Sequence, residues 1–162
     1  MKKIFNEQDL QLALEYATKK HEGQFRKGGL PYITRPIAVS KMVKEHGYGI
    51  DYQIAGLFHD LLEDTDATDE EIVSLSNTEI LNTVKIMTKP KNYNNKDYLG
   101  EIRKNEMAFI IKGFDRLHNL RSALDADEKF RIKYINETLE WYMDFNKDIP
   151  LALENLQKSL KN

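Results

Sequence analysis

Residues 53–65, QIAGLFHDLLEDT, decide how the rest of the chain is read. His59 and Asp60 stand side by side there. Glu63 and Asp64 follow one helical turn later, among Ile54, Ala55, Leu57, Phe58, Leu61 and Leu62. A helix this apolar is expected to go inside. An imidazole and three carboxylates on it are costly to bury unless something compensates, and a divalent metal does so most simply. Residues three and four apart share a helix face. One continuous helix would therefore stack Glu63 over His59 and Asp60, and Asp64 over Asp60. The pattern points to a metal site with acid/base groups beside it. An isolated His-Asp dipeptide is more often a hydrogen-bonded core pair. Four ionisable groups within six residues shift the balance toward function.

Composition narrows the chemistry. The 162 residues suit one domain, 1–162, with room for a sizeable core. A hydrophobic fraction of 41% and a charged fraction of 31% are ordinary for a soluble chain. The net charge of -2 gives no broad basic field, so no nucleic-acid partner is expected. Cysteine is absent, which removes disulfides, thiolate zinc sites and thiol nucleophiles together. Any metal must be held by His and carboxylate, a donor set suited to manganese, iron, magnesium or zinc. No apolar run approaches the ~20 residues of a membrane span. The opening MKKIFNEQDL has two lysines but no long apolar core, so no signal peptide is read and a cytoplasmic location is expected. The oligomeric state is left open.

Along the chain nearly every segment reads as helix. Asn6 with Asp9 is a cap signal, and Leu10, Ala13, Leu14, Ala17 and His21 follow one face up to Gly23. GQFRKGGLPYI reads as a loop, with Arg26 and Lys27 before a glycine pair. Thr34 and Pro36 open a second helix that Gly47 closes. Asp51 opens the helix of the decisive stretch. Thr68 with Glu71 is a capping box, and a further helix stops before Pro90. Residues 89–96, KPKNYNNK, read as a surface loop, and a short helix follows around residues 98–103. Residues 107–124, MAFIIKGFDRLHNLRSAL, form a second strongly apolar helix. It carries Asp115 and, four residues on, Asn119. Two more helices complete the chain, the last starting at Pro150. No strand-like alternation and no repeat is found, so an all-α single-domain helical bundle is expected.

His59, Asp60 and the distant Asp115 together make a His-Asp-Asp set for a hard or borderline cation. Taken alone, Asp115 beside Arg116 reads sooner as a simple ion pair on a helix, and Asn119 as a capping or surface residue.

HEGQFRKGGLPYITRP, LFHDLLEDT and IKGFDRLHNLRS, in this order and spacing, resemble the HD hydrolase domain of RelA/SpoT-type alarmone enzymes, especially the small stand-alone alarmone hydrolases. The resemblance covers roughly residues 8–125. It implies an all-α HD fold that binds one Mn2+ and removes pyrophosphate from the 3′ position of (p)ppGpp, a small-molecule nucleotide. It further implies that His59, Asp60 and Asp115 are metal ligands and that Glu63 and Asp64 are the catalytic acidic pair. By the same resemblance Arg26 and Lys27 contact the nucleotide base, Asn119 lies beside the ribose, and Ser122 stands where the family often has Thr. Thr88-Lys89 resembles a motif near the site entrance.

One position departs from the family pattern. The expected PYI-x-His-Pro reads PYITRP, so Arg35 stands where the family has a fourth ligand. A guanidinium has no lone pair for a metal. Three outcomes are open. The metal binds with three protein ligands and more water, another residue such as His21 moves in, or Arg35 replaces the cation by pairing with Asp60 or Asp115. The last would leave a non-catalytic nucleotide-binding or regulatory domain. Facing the substrate, Arg35 would instead serve as a phosphate clamp.

Overall fold

Several helix starts, those at Glu7 and Asp69 among them, are set by capping residues. In α1 (Glu7–Lys20), Asn6 accepts a hydrogen bond from the Asp9 amide while Asp9 accepts one from the Asn6 amide. α2 (Thr34–Glu45) carries Pro36 in its first turn and ends before Gly47, whose φ of 86° only glycine adopts easily. α3 (Ile50–Phe58) and α4 (Leu61–Asp64) divide the decisive stretch. α5 (Asp69–Leu75) opens on the Thr68–Glu71 capping box. α6 (Thr78–Met87), α7 (Asn95–Arg103), α8 (Glu106–Ser122), α9 (Glu128–Trp141) and α10 (Ile149–Lys158) follow, with a short 3-10 turn at Ala123–Asp125. The computed structural model describes residues 3–161. Met1 and Lys2, the start of the stretch read for a signal peptide, lie outside them, as does Asn162. Among the described residues the architecture is all-α as expected, and the strand pairing seen is an isolated bridge between Phe25 and Pro31. No helix among them is long and apolar enough to cross a membrane.

The chain divides into two compact units, Met1–Ile111 and Lys112–Asn162, with α8 running through the division. In the first unit α3 is central and packs against α1, α2 and α6. Its Ile54, Ala55 and Phe58 are fully buried, as are Ala13, Ala17, Val39, Val43, Ile80 and Val84 around it. Each large side chain so buried contributes roughly 1.5–3 kcal/mol. Gly56 permits the closest approach, since a Cβ there would lie 3.3 Å from Ser40 Cα. Ser40 also donates its hydroxyl to the Gln53 carbonyl at 2.9 Å. In the second unit α10 packs on α9 through a stripe that includes Leu153 and Leu156.

Candidate active site

The expected single helix breaks at the His-Asp dipeptide. α3 ends at Phe58, Asp60 takes φ -112° and ψ 6°, and α4 restarts at Leu61. A local competitor explains the break. His59 donates Nδ1–H to the Gly56 carbonyl at 2.7 Å, the oxygen that a continuing helix would offer to the Asp60 amide. Asp60 thus sits in the sparsely populated bridge region between helix and strand conformations. The expected stacking is corrected accordingly. Asp64 keeps its place one turn after Asp60, its amide bonded to the Asp60 carbonyl at 3.0 Å. Glu63 turns instead to the Lys89 backbone amide, which donates to it at 2.8 Å. Burial divides the same way: His59 and Asp60 are buried, Glu63 and Asp64 are exposed.

The loop after α1 delivers two residues to Asp60. Gly28 and Gly29 hold φ of 104° and 99°, so the chain reverses tightly, and the Arg26 amide donates to the Leu30 carbonyl at 2.7 Å. The reversal brings the Tyr32 amide back to the Gln24 carbonyl at 2.8 Å. Tyr32 then donates its phenol to Asp60 Oδ2 at 2.6 Å, while His21 Nε2 stands 3.4 Å from Asp60 Oδ1. Gln24 lies between, with Oε1 2.9 Å from His21 Nδ1 and Nε2 donating to the Asp64 carbonyl at 2.9 Å.

Electrostatics follow from this packing. Burial pulls the Asp60 carboxyl upward, but His59, His21 and the Tyr32 hydroxyl outweigh it and hold it below the usual value. Burial opposes charge on His21, and Asp60 with Gln24 overrides it to leave the ring above the ordinary histidine value. Asp64 is raised by partial burial, then by the neighbouring charges of Asp60 and Glu63. The Tyr32 phenol is raised by burial and by Asp60, with Arg35 acting in opposition. Arg35 is half-buried in the first turn of α2, its amide bonded to the Tyr32 carbonyl at 3.0 Å. Arg26 donates a guanidinium hydrogen to Thr34 Oγ1 at 3.2 Å, and Lys27 is exposed at the loop tip.

On α8, Asp115 is buried and pairs with Lys112 at 3.5 Å within the same helix. Its neighbour Arg116 is taken up elsewhere, by Glu137 at 3.3 Å and by the face of Tyr142 at 4.0 Å. Asn119 is buried, and its Oδ1 has no hydrogen-bond partner. Ser122 Oγ lies 3.4 Å from His118 Nε2.

Among the described residues no three His, Asp or Glu side chains stand as a complete set of metal donors. The donor chemistry of the individual residues nevertheless fits a divalent cation. With Nδ1–H given to Gly56, the His59 ring presents Nε2 as its lone-pair nitrogen. Asp60 Oδ1 and His21 Nε2 are buried polar atoms without hydrogen-bond partners. Sequence reasoning missed Tyr32 and Gln24. The available signal was weak: two polar residues flanking a glycine turn, on a loop returning to the helix that follows it.

The HD-domain family matches residues 13–147. A guanosine-3′,5′-bis(diphosphate) 3′-pyrophosphohydrolase of Spiroplasma citri is 39% identical over 126 residues, 70% of this chain and 17% of its own length. The bifunctional (p)ppGpp synthase/hydrolase SpoT of Escherichia coli strain K12 is 37% identical over 146 residues, 82% of this chain and 20% of its own. A GTP pyrophosphokinase of Myxococcus xanthus is 31% identical over 144 residues, 80% of this chain and 19% of its own. The chain spans about a fifth of the length of these relatives. In fold it is similar to a solved structure of a metazoan SpoT ortholog that hydrolyses ppGpp, with a TM-score of 0.78 at 24% identity. That match covers 98% of this chain and 99% of the other.

Proposed function

Because this chain belongs to the HD-domain family and is related to the RelA/SpoT (p)ppGpp hydrolases and synthetases, we propose that it is a metal-dependent phosphohydrolase. Its proposed reaction is removal of pyrophosphate from the 3′ position of (p)ppGpp or a related pyrophosphorylated nucleotide. One observation carries the reading. Asp60 is a buried carboxylate between His21 and Tyr32, and Asp64, its carboxyl raised, stands one turn away. A carboxylate buried only for packing would need no such surroundings.

His59 and Asp60 are proposed to hold the metal, Mn2+ in the first instance, with Asp115 the further ligand that the family resemblance names. A bound divalent cation supplies an activated water and positive charge for the phosphates. The chain supplies the rest. Asp64, whose carboxyl is raised by partial burial and by Asp60 and Glu63, orients the attacking water together with Glu63, and the pair returns a proton to the leaving oxygen. Arg26 and Lys27 hold the nucleotide, Asn119 its ribose, and Arg35 clamps a phosphate oxygen with its fixed fork of donors.

Purified chain incubated with ppGpp is expected to release pyrophosphate, faster with added Mn2+. Failure to turn over ppGpp and several other pyrophosphorylated nucleotides in the metal-loaded state refutes the proposal. Arg35 favours a second reading, a nucleotide-binding HD domain without turnover, since a guanidinium cannot ligate metal. If Arg35→His gains metal and turnover that the parent lacks, the second reading holds for the parent.

A further inference from the structure

Helix α9 buries one face and carries a second apolar stripe on its outside. Ile135, Thr138 and, just past the helix end, Tyr142 are spaced three and four apart, and all three are buried. Ile132, Leu139 and Met143, spaced seven and four apart, keep the same period about a quarter turn round the helix. All three are exposed, Leu139 by 51%. Apolar residues scattered singly on a surface are ordinary. Three on one stripe of a helix whose buried face is already filled make a second, unpartnered face. Asn136 sits in the middle of that stripe and is exposed too.

On one flank of the stripe the charges are sorted by sign. Lys129 and Lys133 stand beside its N-terminal half and Glu140 beside its C-terminal half, all exposed. Glu137 is taken by Arg116 at 3.3 Å, and Lys133 reaches it only at 4.0 Å. Glu140 has no hydrogen-bond or ion-pair partner among the described residues. A second α9 running parallel would put lysine beside lysine and glutamate beside glutamate. One running antiparallel, about a two-fold axis beside Asn136, puts each Lys133 next to the other copy's Glu140. The same arrangement lays Ile132 against Leu139 and the aliphatic stem of Lys129 over Met143. The stripe is therefore complementary to itself in one orientation.

We infer that α9 is the contact surface of a symmetric, antiparallel homodimer of this chain. Ile132, Leu139 and Met143 form its apolar seam, and Lys133 pairs with Glu140 on its rim. One helix pair lies at the low end of interface sizes, so the dimer is reversible, with a dissociation constant on the order of 1–100 µM. None of these residues has a part in the proposed hydrolysis, and the dimer does not depend on that reading.

Sedimentation equilibrium of the full chain over a concentration series tests it. The apparent mass is expected to rise from monomer toward dimer. Leu139→Lys, its fold checked by circular dichroism, is expected to stay monomeric. Charge variants read the orientation. Lys133→Glu and Glu140→Lys each put like charges together across an antiparallel pair, and each alone is expected to weaken self-association about tenfold. Mixed in equal amounts, the two variants have opposite charges at every rim contact, so a heterodimer as tight as the parent dimer is expected. A monomer at every concentration overturns the inference and leaves the stripe to a different protein. A dimer that survives Leu139→Lys overturns it by placing the contact on another face. Charge variants that self-associate like the parent, or that fail to recover on mixing, overturn the antiparallel pairing.

Discussion

At residues 53–65 the helix stops for its polar pair, whereas α8, Glu106–Ser122, runs through its own without interruption. Both stretches are apolar and both bury an aspartate. They differ in how the polar groups are held. Asp60 is gripped by side chains from a distant loop, Tyr32 and His21; after it, the Glu63 carboxylate accepts from the Lys89 amide and the Asp64 backbone carbonyl accepts from Gln24. On α8 the charges are partly absorbed into packing: Asp115 pairs with Lys112 on its own helix, and Arg116 lies against Tyr142 and Glu137. The lesson is that an acid in an apolar helix says little by itself. More telling are partners that fix the carboxylate yet leave one oxygen without a hydrogen bond, as at Asp60 Oδ1.

The largest expected effect tests whether the two stretches serve one reaction. Asp60→Asn and Asp115→Asn are each expected to lower pyrophosphate release from ppGpp on the order of a thousandfold. Full turnover by Asp115→Asn in a steady-state assay would confine the chemistry to the first stretch. Next comes Tyr32→Phe, which removes the donor to Asp60 and little volume. If Asp60 is a metal ligand as proposed, Mn2+ affinity measured by calorimetry should fall about 10–100-fold, because Asp60 loses the partner that orients it. An unchanged affinity would reduce the grip on Asp60 to ordinary packing.

The third prediction probes the other side of the contrast. A Cβ at Gly113 would run into the Phe145 carbonyl, so Gly113→Ala is expected to lower stability by about 1–3 kcal/mol in denaturant melts. Turnover per folded molecule should hold if α8 there serves packing alone. The smallest effect is one of stability at the first stretch. The raised pKa of Asp64 means that its ionised form weakens folding at any pH above the ordinary carboxylate range. Asp64→Asn should therefore stabilise the fold at neutral pH by less than about 1 kcal/mol for so exposed a group, read as a higher melting temperature. The gain should vanish as pH falls below the ordinary carboxylate value, where Asp64 is protonated in both folded and unfolded chains. A loss of stability at neutral pH would contradict the electrostatic account.

Much of the fold was legible because it depends on local signals. The Asn6–Asp9 and Thr68–Glu71 capping boxes, the stops at Gly23 and Gly47 and the apolar spacing along α1 and α6 act within a few residues. The same local reasoning failed at His59. Periodicity does not reveal that an imidazole will take the Gly56 carbonyl and end the helix. At the C-terminal end of α2 the His46 ring nitrogen likewise lies 2.7 Å from a backbone carbonyl, that of Met42.

By itself the sequence determined an all-α chain, the two apolar stretches with their acids, and the arginine at position 35. These follow from residue type and spacing along one strand of covalent chain. Only the tertiary structure decided that Tyr32, Gln24 and His21 close on Asp60 and Asp64, that Glu63 turns to the Lys89 amide, and that one buried oxygen and one buried nitrogen are left facing each other. Those contacts join residues up to 40 positions apart, and their distances are set by how a glycine turn and a broken helix pack, which no local pattern encodes.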